Sequence, residues 1–333
     1  MNCYLVTGCA GFIASRVAEM LLDGGHRVVG VDNLNDAYDP RLKHWRLERL
    51  RGREHFAFHL LDISDADAVT ARFAADAQST AGEPPYTAVV NLAARAGVRA
   101  SVRDPRVYYR TNGEGTLHLL EACRRHGVGK FLLASTSSLY GAHNPVPYRE
   151  DADTDRPLSP YAASKKAAEA LAFTYHYLHH LDVSVVRYFT VYGPAGRPDM
   201  SVFRFVRWIA EGEPITVFGD GRQSRDFTFV DDIARGTIAA LKPLGYEVVN
   251  LGGDRPAVLC EVIDTIAAEL GERPAIEYRP PHPADVPATW ADINKARSLL
   301  DWRPQVPLEV GLRHCVGWFR ENRDLGRSLS LGE

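Results

Sequence analysis

Tyr161 and Lys165, four residues apart in Tyr161-Ala162-Ala163-Ser164-Lys165, are a pair whose types and spacing could do chemistry. Residues four apart share one face of a helix. An ammonium beside a phenol stabilises the phenolate and lowers a pKa that is about 10 when unperturbed. A tyrosine tuned in that way takes a proton from a sugar or alcohol hydroxyl near neutral pH. The same spacing also suits an amphipathic helix with one solvated lysine. The chemical reading therefore needs a nucleotide site and a hydroxyl partner upstream.

Composition narrows the setting. A chain of 333 residues with 45% apolar and 24% charged side chains can bury one large core, or two smaller ones sharing a cleft. A net charge of −3 gives no electrostatic reason to expect nucleic acid or an anionic membrane as partner. No apolar run approaches the roughly 18 residues of a membrane span, and residues 2–7 already read as a buried strand, leaving no room for a signal peptide. The five cysteines, Cys3, Cys9, Cys123, Cys260 and Cys315, are scattered without a CxxC pair. Neither a disulfide framework nor a metal site is expected, and a reducing cytoplasm suits them.

The elements that must position the pair begin at the first strand, which ends at Gly8; an amphipathic helical pattern then runs over 12–22. Between them, Gly8-Cys9-Ala10-Gly11-Phe12-Ile13-Ala14 permits a tight turn and lets a pyrophosphate approach backbone N–H groups at a helix N-terminus. A glycine-rich turn with no ligand is the bland alternative. Ala14 stands where glycine is commoner. A second strand, 27–31, ends at Asp32, about 20 residues past the glycines, where a carboxylate binds an adenosine ribose and repels a 2′-phosphate. NAD is expected over NADP.

A basic helical segment, 40–51, leads to a third strand, 55–61, closed by Asp62 and Ile63. Asp62 could meet an adenine amino group or merely cap the next helix. A fourth strand, 87–92, precedes Ala93 and Ala94, small enough to let backbone pass a ribose. One long helix is expected over 104–126, with Asn112 and Thr116 able to reach the cofactor side. A fifth strand, 130–134, runs into Ser135-Thr136-Ser137-Ser138-Leu139-Tyr140-Gly141. Strands alternating with helices imply an α/β fold with a parallel sheet wound on both faces. Its ligands sit beyond the carboxyl ends of the strands, where the hydroxyl run falls.

Gly8-xx-Gly11-xx-Ala14, Asn91-Leu92-Ala93-Ala94, the hydroxyl run before Tyr140-Gly141, and Tyr161-xxx-Lys165 together resemble the extended short-chain dehydrogenase/reductase superfamily over about residues 2–320. The resemblance implies a Rossmann-type doubly wound sheet with a smaller C-terminal α/β substrate domain. It also implies a tightly held NAD, a UDP-sugar substrate and a homodimer. The implied triad is Thr136, Tyr161 and Lys165, with Ser137 as second candidate for the hydroxyl. The expected division is a cofactor domain over 1–187 with a return segment at 228–252, a substrate domain over 188–227 and 253–325, and a frayed tail at 326–333. Implied cofactor contacts are Gly8, Gly11, Phe12, Ile13, Asp32, Asn33, Asp62, Ile63, Leu92, Ala93, Ala94, Asn112, Tyr161, Lys165 and Tyr188.

Within the superfamily, dehydratases and the decarboxylating branch carry an acid soon after the triad hydroxyl. Here Ser137 and Ser138 follow Thr136, which points to an epimerase. Arg187-Tyr188-Phe189-Thr190-Val191-Tyr192-Gly193-Pro194, the following Ala195-Gly196-Arg197-Pro198-Asp199-Met200, residues 33–40 and Ala96-Gly97-Val98-Arg99 are similar to UDP-glucuronate 4-epimerases. Implied substrate contacts are Arg99, Thr136, Ser137, Ser138, Thr190, Arg197, Val217, Phe218, Arg225 and Asp285. Phe218 could pack on a uracil and Arg225 pair with a diphosphate, or both could serve loop packing. Arg197 could hold a sugar carboxylate or be a surface charge. His282 stands where an arginine often precedes the Asp285 position, and it lacks the guanidinium fork. The implied reaction is reversible inversion at C4 of UDP-glucuronate through a 4-keto sugar. A 4-epimerase for neutral UDP-hexoses and a non-catalytic nucleotide sensor are the rival classes; the intact triad counts against the second.

Overall fold

Strands that are apolar at nearly every position must be covered on both faces, and that requirement sets the architecture. The computed structural model describes residues 1–80, 82–281 and 286–332. The first half runs β1 (Cys3–Thr7), α1 (Phe12–Asp23), β2 (Arg27–Asp32), α2 (Pro40–Arg51), β3 (Phe56–Leu60), α3 (Ala66–Ala77), β4 (Ala88–Asn91), α4 (Val98–Arg103), α5 (Pro105–Tyr108), a π turn (Tyr109–Glu114), α6 (Gly115–Arg125), β5 (Lys130–Thr136), α7 (Pro160–His179) and β6 (Asp182–Tyr188). The second runs β7 (Thr190–Tyr192), α8 (Ser201–Ala210), β8 (Ile215–Phe218), β9 (Ser224–Arg225), β10 (Phe227–Phe229), α9 (Val230–Ala239), β11 (Tyr246–Leu251), β12 (Ala257–Val258), α10 (Leu259–Leu270), β13 (Ile276–Arg279), α11 (Asn294–Leu300), α12 (Leu308–Glu321) and α13 (Arg323–Ser328).

Among the described residues, seven strands form one parallel sheet in the order β11-β6-β5-β4-β1-β2-β3. From β1 the chain winds outward through β2 and β3, then crosses to β4 on the other side, so the sheet reverses direction at β1. Ligand crevices open at such reversals. One face is covered by Val17, Ala18 and Leu21 of α1, Ile233 of α9 and Leu300 of α11. The other is covered by Phe73 of α3, Leu119 and Cys123 of α6, and Ala168 and Ala172 of α7. A separate apolar cluster joins α8, α10 and α12 to the short pairs β7–β10 and β8–β13. β11 returns to the large sheet beside β6.

Three departures from the sequence reading have local causes. The helix expected over 104–126 is broken: Asp104 stands outside it, and the π turn at Tyr109–Glu114 separates α5 from α6. Within that turn, the Asn112 side-chain amide donates to the Arg95 carbonyl (3.0 Å) and to Ser164 Oγ (2.9 Å). The tail expected to fray forms α13 and then docks: Arg207 Nη1 donates to the Leu329 carbonyl (2.6 Å) and the Ser330 amide donates to Asp39 (2.9 Å). The third departure is small, because β5 extends two residues past 134 and carries Ser135 and Thr136 in the strand.

The helix bearing the Tyr–Lys pair has a well-defined start. Ser159 Oγ accepts from the Ala162 amide (3.2 Å), and Pro160 occupies the first turn, where its missing N–H is no loss. Ser159→Ala should lower stability by about 1 kcal/mol. In a urea titration, the midpoint should fall with an unchanged slope, and Ser159→Asp should recover most of the loss.

Candidate active site

At the reversal beside β1, backbone meets backbone. Gly8 has φ +67°, and a Cβ placed there would lie 2.8 Å from Ala93 Cα. The turn closes through the Gly11 amide to the Gly8 carbonyl (2.7 Å), and α1 begins at once. A side chain would fill this cradle, so the turn fits a pyrophosphate at a helix N-terminus. Ala14 is buried, its methyl accommodated against the sheet.

Asp32, buried at the end of β2, accepts from the Ala10 amide (3.1 Å) and the Leu34 amide (2.8 Å). Its carboxylate is thus aimed by the turn it serves. Asn33 donates to Asp62 Oδ2 (2.9 Å), while Asp62 Oδ1 accepts from the Ser64 amide (2.8 Å) and hydroxyl (2.7 Å). Asp62 does not cap α3; Asp65 does, accepting from the Ala68 amide. One cleft collects Gly8, Gly11, Phe12, Ile13, Asp32, Asn33, Asp62, Ile63, Leu92, Ala93, Ala94, Tyr161, Lys165 and Tyr188. Asn112 stays out of it, committed to bracing Arg95 and Ser164. Tyr188 lines the wall with its hydroxyl bonded to Thr237 (2.8 Å).

Three groups that the sequence reading missed stand in or beside the cleft. Lys43, buried on α2, donates to Asn35 Oδ1 (3.1 Å) and lies 3.8 Å from Asp32. Burial pushes its pKa down, against the pull of Asp32. Tyr38 has three cations near its ring: Lys43 at 5.2 Å, Arg197 at 5.4 Å and Arg46 at 5.5 Å from the centroid. Arg46 is buried and donates to the Ala10 carbonyl (3.2 Å), the Tyr38 hydroxyl (2.7 Å) and the Ala195 carbonyl (2.6 Å). It therefore ties the glycine turn to the loop that carries Arg197. The signal was present as a basic stretch, but Lys43 and Arg46 are two cations among several there, and only packing selects them.

At the far wall, the Tyr161 phenol lies beside the Thr136 hydroxyl, and Tyr108 meets its ring edge-on at 6.1 Å. Burial raises the Tyr161 phenol above its usual value, while the Thr136 hydroxyl and the Arg197 charge pull it down. The net direction is opposite to the one that the Lys165 spacing suggests. Lys165 is itself lowered to about 8 by burial, with Glu169 opposing. Thr136 Oγ1 also donates to Ser138 Oγ (3.1 Å) and accepts from the Ser138 amide (3.1 Å).

The substrate candidates divide among neighbouring spaces. Ser137, Ser138, Thr190 and Arg225 line a neighbouring cavity together with Tyr148, Ser159 and Thr289. Arg197 faces the main cleft and shares a smaller pocket with Thr190. Its fork is already engaged by Asp199, Nε to Oδ1 at 3.0 Å and Nη2 to Oδ2 at 2.6 Å. Arg99 lies over the Phe218 ring, 4.2 Å from the centroid, and Val217 is buried in the separate apolar cluster around α8, α10 and α12. Arg225 donates to the Ser224 carbonyl (2.8 Å). The adjacent Asp226 is fully buried: it accepts from the Gly253 (2.5 Å) and Ala291 (2.8 Å) amides and fastens three segments around this cavity. Asp285 and His282 lie outside the described residues. Among the described residues, no cluster of His, Cys, Asp or Glu is placed to hold a metal, and no helix is long and apolar enough to cross a membrane.

Residues 4–252 match the model of the NAD dependent epimerase/dehydratase family. A UDP-glucuronate 4-epimerase of Thermodesulfobacterium geofontis is 54% identical over 332 residues, covering 99% of this chain and 100% of the relative. Among solved structures, a UDP-glucuronic acid 4-epimerase from Bacillus cereus in complex with UDP-glucuronic acid and NAD superposes with a TM-score of 0.88 at 36% identity, covering 96% of this chain and 99% of that one. A UDP-glucose 4-epimerase from Thermotoga maritima with UDP-glucose gives 0.87 at 32% identity, with coverages of 96% and 99%.

Lys43 generates a direct test of the cleft. Lys43→Met should keep the fold and weaken NAD binding by about 1.5–3 kcal/mol, the range of a hydrogen bond to a charged group. Fluorescence titration of the nucleotide-free protein measures it; unchanged affinity would leave Lys43 a packing residue.

Proposed function

Because the chain belongs to the NAD-dependent epimerase/dehydratase family, we propose that it inverts C4 of UDP-glucuronate, giving UDP-galacturonate, reversibly. One observation carries this reading beyond the family: a guanidinium, Arg197, faces the cleft that holds Tyr161 and Lys165. Gly8, Gly11, Asp32, Lys43 and Lys165 fit NAD. Bound there, NAD supplies the hydride acceptor and donor for C4 and, when oxidised, a positive charge that favours the Tyr161 phenolate.

The side chains do the rest. Tyr161 takes the proton of the C4 hydroxyl at its phenolic oxygen and later returns it. Thr136 holds the same substrate oxygen, and the Lys165 ammonium stabilises the phenolate. Between the two proton transfers, the 4-keto sugar turns its other face, within a pocket lined by Ser137, Ser138 and Thr190. A C5 carboxylate beside a C4 ketone is a β-keto acid. It loses CO2 readily when the C–C bond stands perpendicular to the carbonyl plane, so the carboxylate must be held out of that geometry. Thr190, Arg197 and the 136–138 hydroxyls are the clamp in this reading, with Arg99, Val217, Phe218, Arg225 and Asp285 serving the nucleotide. A neutral UDP-hexose is the second reading. The Asp199 pairing favours it, since a guanidinium whose fork is filled gives a substrate carboxylate less to gain.

Three features complete the proposal. Residues 1–187 with 228–252 form the NAD half, and 188–227 with 253–325 the UDP-sugar half. A homodimer forms through α7, whose Ala170, Phe173, Thr174, Tyr177 and Leu178 make an exposed stripe at helical spacing, with Tyr177 71% exposed. Five free thiols support a reducing, cytoplasmic setting.

Incubation with UDP-glucuronate and chromatography of the products tests the reaction, with UDP-galacturonate expected. Tyr161→Phe should fold normally and lose about 10²–10⁴ in rate; near wild-type turnover would remove Tyr161 from the chemistry. Arg197→Ala should lose about 1.5–3 kcal/mol of affinity for UDP-glucuronate and little for UDP-glucose, and some turnovers should end as a UDP-4-ketopentose with CO2 and NADH. Equal losses for both sugars, with no decarboxylated product by mass, would place Arg197 outside the carboxylate site.

A further inference from the structure

Tyr161, Lys165 and Glu169 follow at four-residue intervals along α7, so one helix face carries a phenol, an ammonium and a carboxylate a turn apart. The first two belong to the triad. Glu169 is only 5% exposed, so its partners are found in the protein rather than in solvent. Ser135 Oγ donates to its Oε1 at 2.6 Å, and Arg187 donates to both of its oxygens, Nε to Oε1 at 3.0 Å and Nη2 to Oε2 at 2.8 Å. Ser135 and Arg187 are register partners on β5 and β6, and the next pair in that register is Thr136 with Tyr188. The carboxylate therefore grips both strands one residue below Thr136, which adjoins the Tyr161 phenol, and Tyr188, which lines the cleft. Arg187 carries the connection on to the Tyr140 hydroxyl (3.0 Å) and the Glu150 carbonyl (3.1 Å).

We propose that Glu169 is a positioning residue for the triad: it locks α7 onto β5 and β6 so that Tyr161 meets Thr136, and it supplies the negative charge beneath the Lys165 ammonium. Stability alone does not call for this arrangement, because a buried ion pair is commonly no better than a well-packed apolar pair. The charge has a use one turn away. Burial drives Lys165 towards neutrality, down to about 8, and Glu169 opposes it. Around Glu169 the titratable and charged neighbours are Arg187 on β6 and Tyr246 on β11, with Tyr140 and Glu150 behind Arg187. Around Lys165 they are Tyr161 on its own helix, then Arg197 and Tyr108 beyond the phenol. None of these is a second carboxylate close enough to replace Glu169.

The sign follows. Lys165 must carry its proton for turnover, so its deprotonation sets the alkaline limb of the rate profile. Removing the negative charge of Glu169 makes that proton easier to lose and moves the limb to lower pH. The inference rests on the triad rather than on which UDP-sugar is turned over, so the NAD-loaded enzyme is assayed with UDP-glucuronate and with UDP-glucose, and the better substrate is followed. Glu169→Gln should leave KM within about twofold, lower kcat about tenfold or more and shift the alkaline limb of kcat down by about half a pH unit or more. Glu169→Asp, which keeps the charge, should hold the limb at its wild-type pH whatever rate it loses. If Glu169→Gln does not fold for want of a partner for Arg187, the double variant Glu169→Met with Arg187→Met removes both charges, and its limb should still move down. A wild-type limb in the folded variant, or equal shifts for Gln and Asp, would overturn the proposal. So would failure of both neutral variants to fold, which would make the pair a folding requirement alone.

Discussion

Everything in the cleft depends on the contact between Gly8 and Ala93. Two strands that are neighbours in the sheet, β1 and β4, send their chains to opposite sides at this point, and the gap between them exists only if neither carries a side chain into it. The glycine's left-handed backbone and the missing Cβ are two aspects of one requirement. A methyl there would both strain the turn and strike the Ala93 backbone. With the turn in place, the start of α1 is open, the Ala10 amide orients Asp32, and Arg46 can reach the Ala10 carbonyl from α2. The loop bearing Arg197 is held by the other end of the same guanidinium. Cofactor wall and substrate wall are thus joined through one small patch of backbone.

The electrostatics of the triad express a contest between burial and charge. Buried groups resist ionisation, and in this site both partners resist: the phenol holds its proton more tightly and the ammonium less tightly than either would in water. A pair so balanced is sensitive to each further charge brought near it. Arg197 on one side and Glu169 on the other act in that sense on Tyr161 and Lys165 respectively.

Sequence spacing exposed the parts whose function is tied to backbone form. The glycine turn, the acid at the end of the second strand and the Tyr–Lys helix face were all legible, because each needs a fixed residue type at a fixed distance. Side chains recruited by packing were not. Lys43 and Arg46 sit in a helix rich in Arg and Lys, and nothing in the one-dimensional pattern says which of them turn inward. Asn112 is a related case, since a polar residue on a cleft-side helix can face a ligand or brace the chain, and here its side chain braces Arg95 and Ser164. The π turn that decides the matter has no sequence signature beyond Gly113 and Gly115. The tail was misread because its hydrogen bonds come from Arg204 and Arg207 more than a hundred residues earlier, a partnership invisible to local composition.

The ion pair between Arg197 and Asp199 has a consequence for recognition. Any acid reaching that guanidinium arrives as a competitor, since a carboxylate two residues along the chain is already in place at an effective concentration far above that of a free metabolite. A rival can win the exchange only if it is tethered as well. In the proposed arrangement, a nucleotide anchored in the neighbouring cavity provides such a tether for its own sugar, while the detached sugar acid has none. Selection for the acid group is therefore conditional on prior capture of the nucleotide, and the free sugar acid should pass the site almost unnoticed.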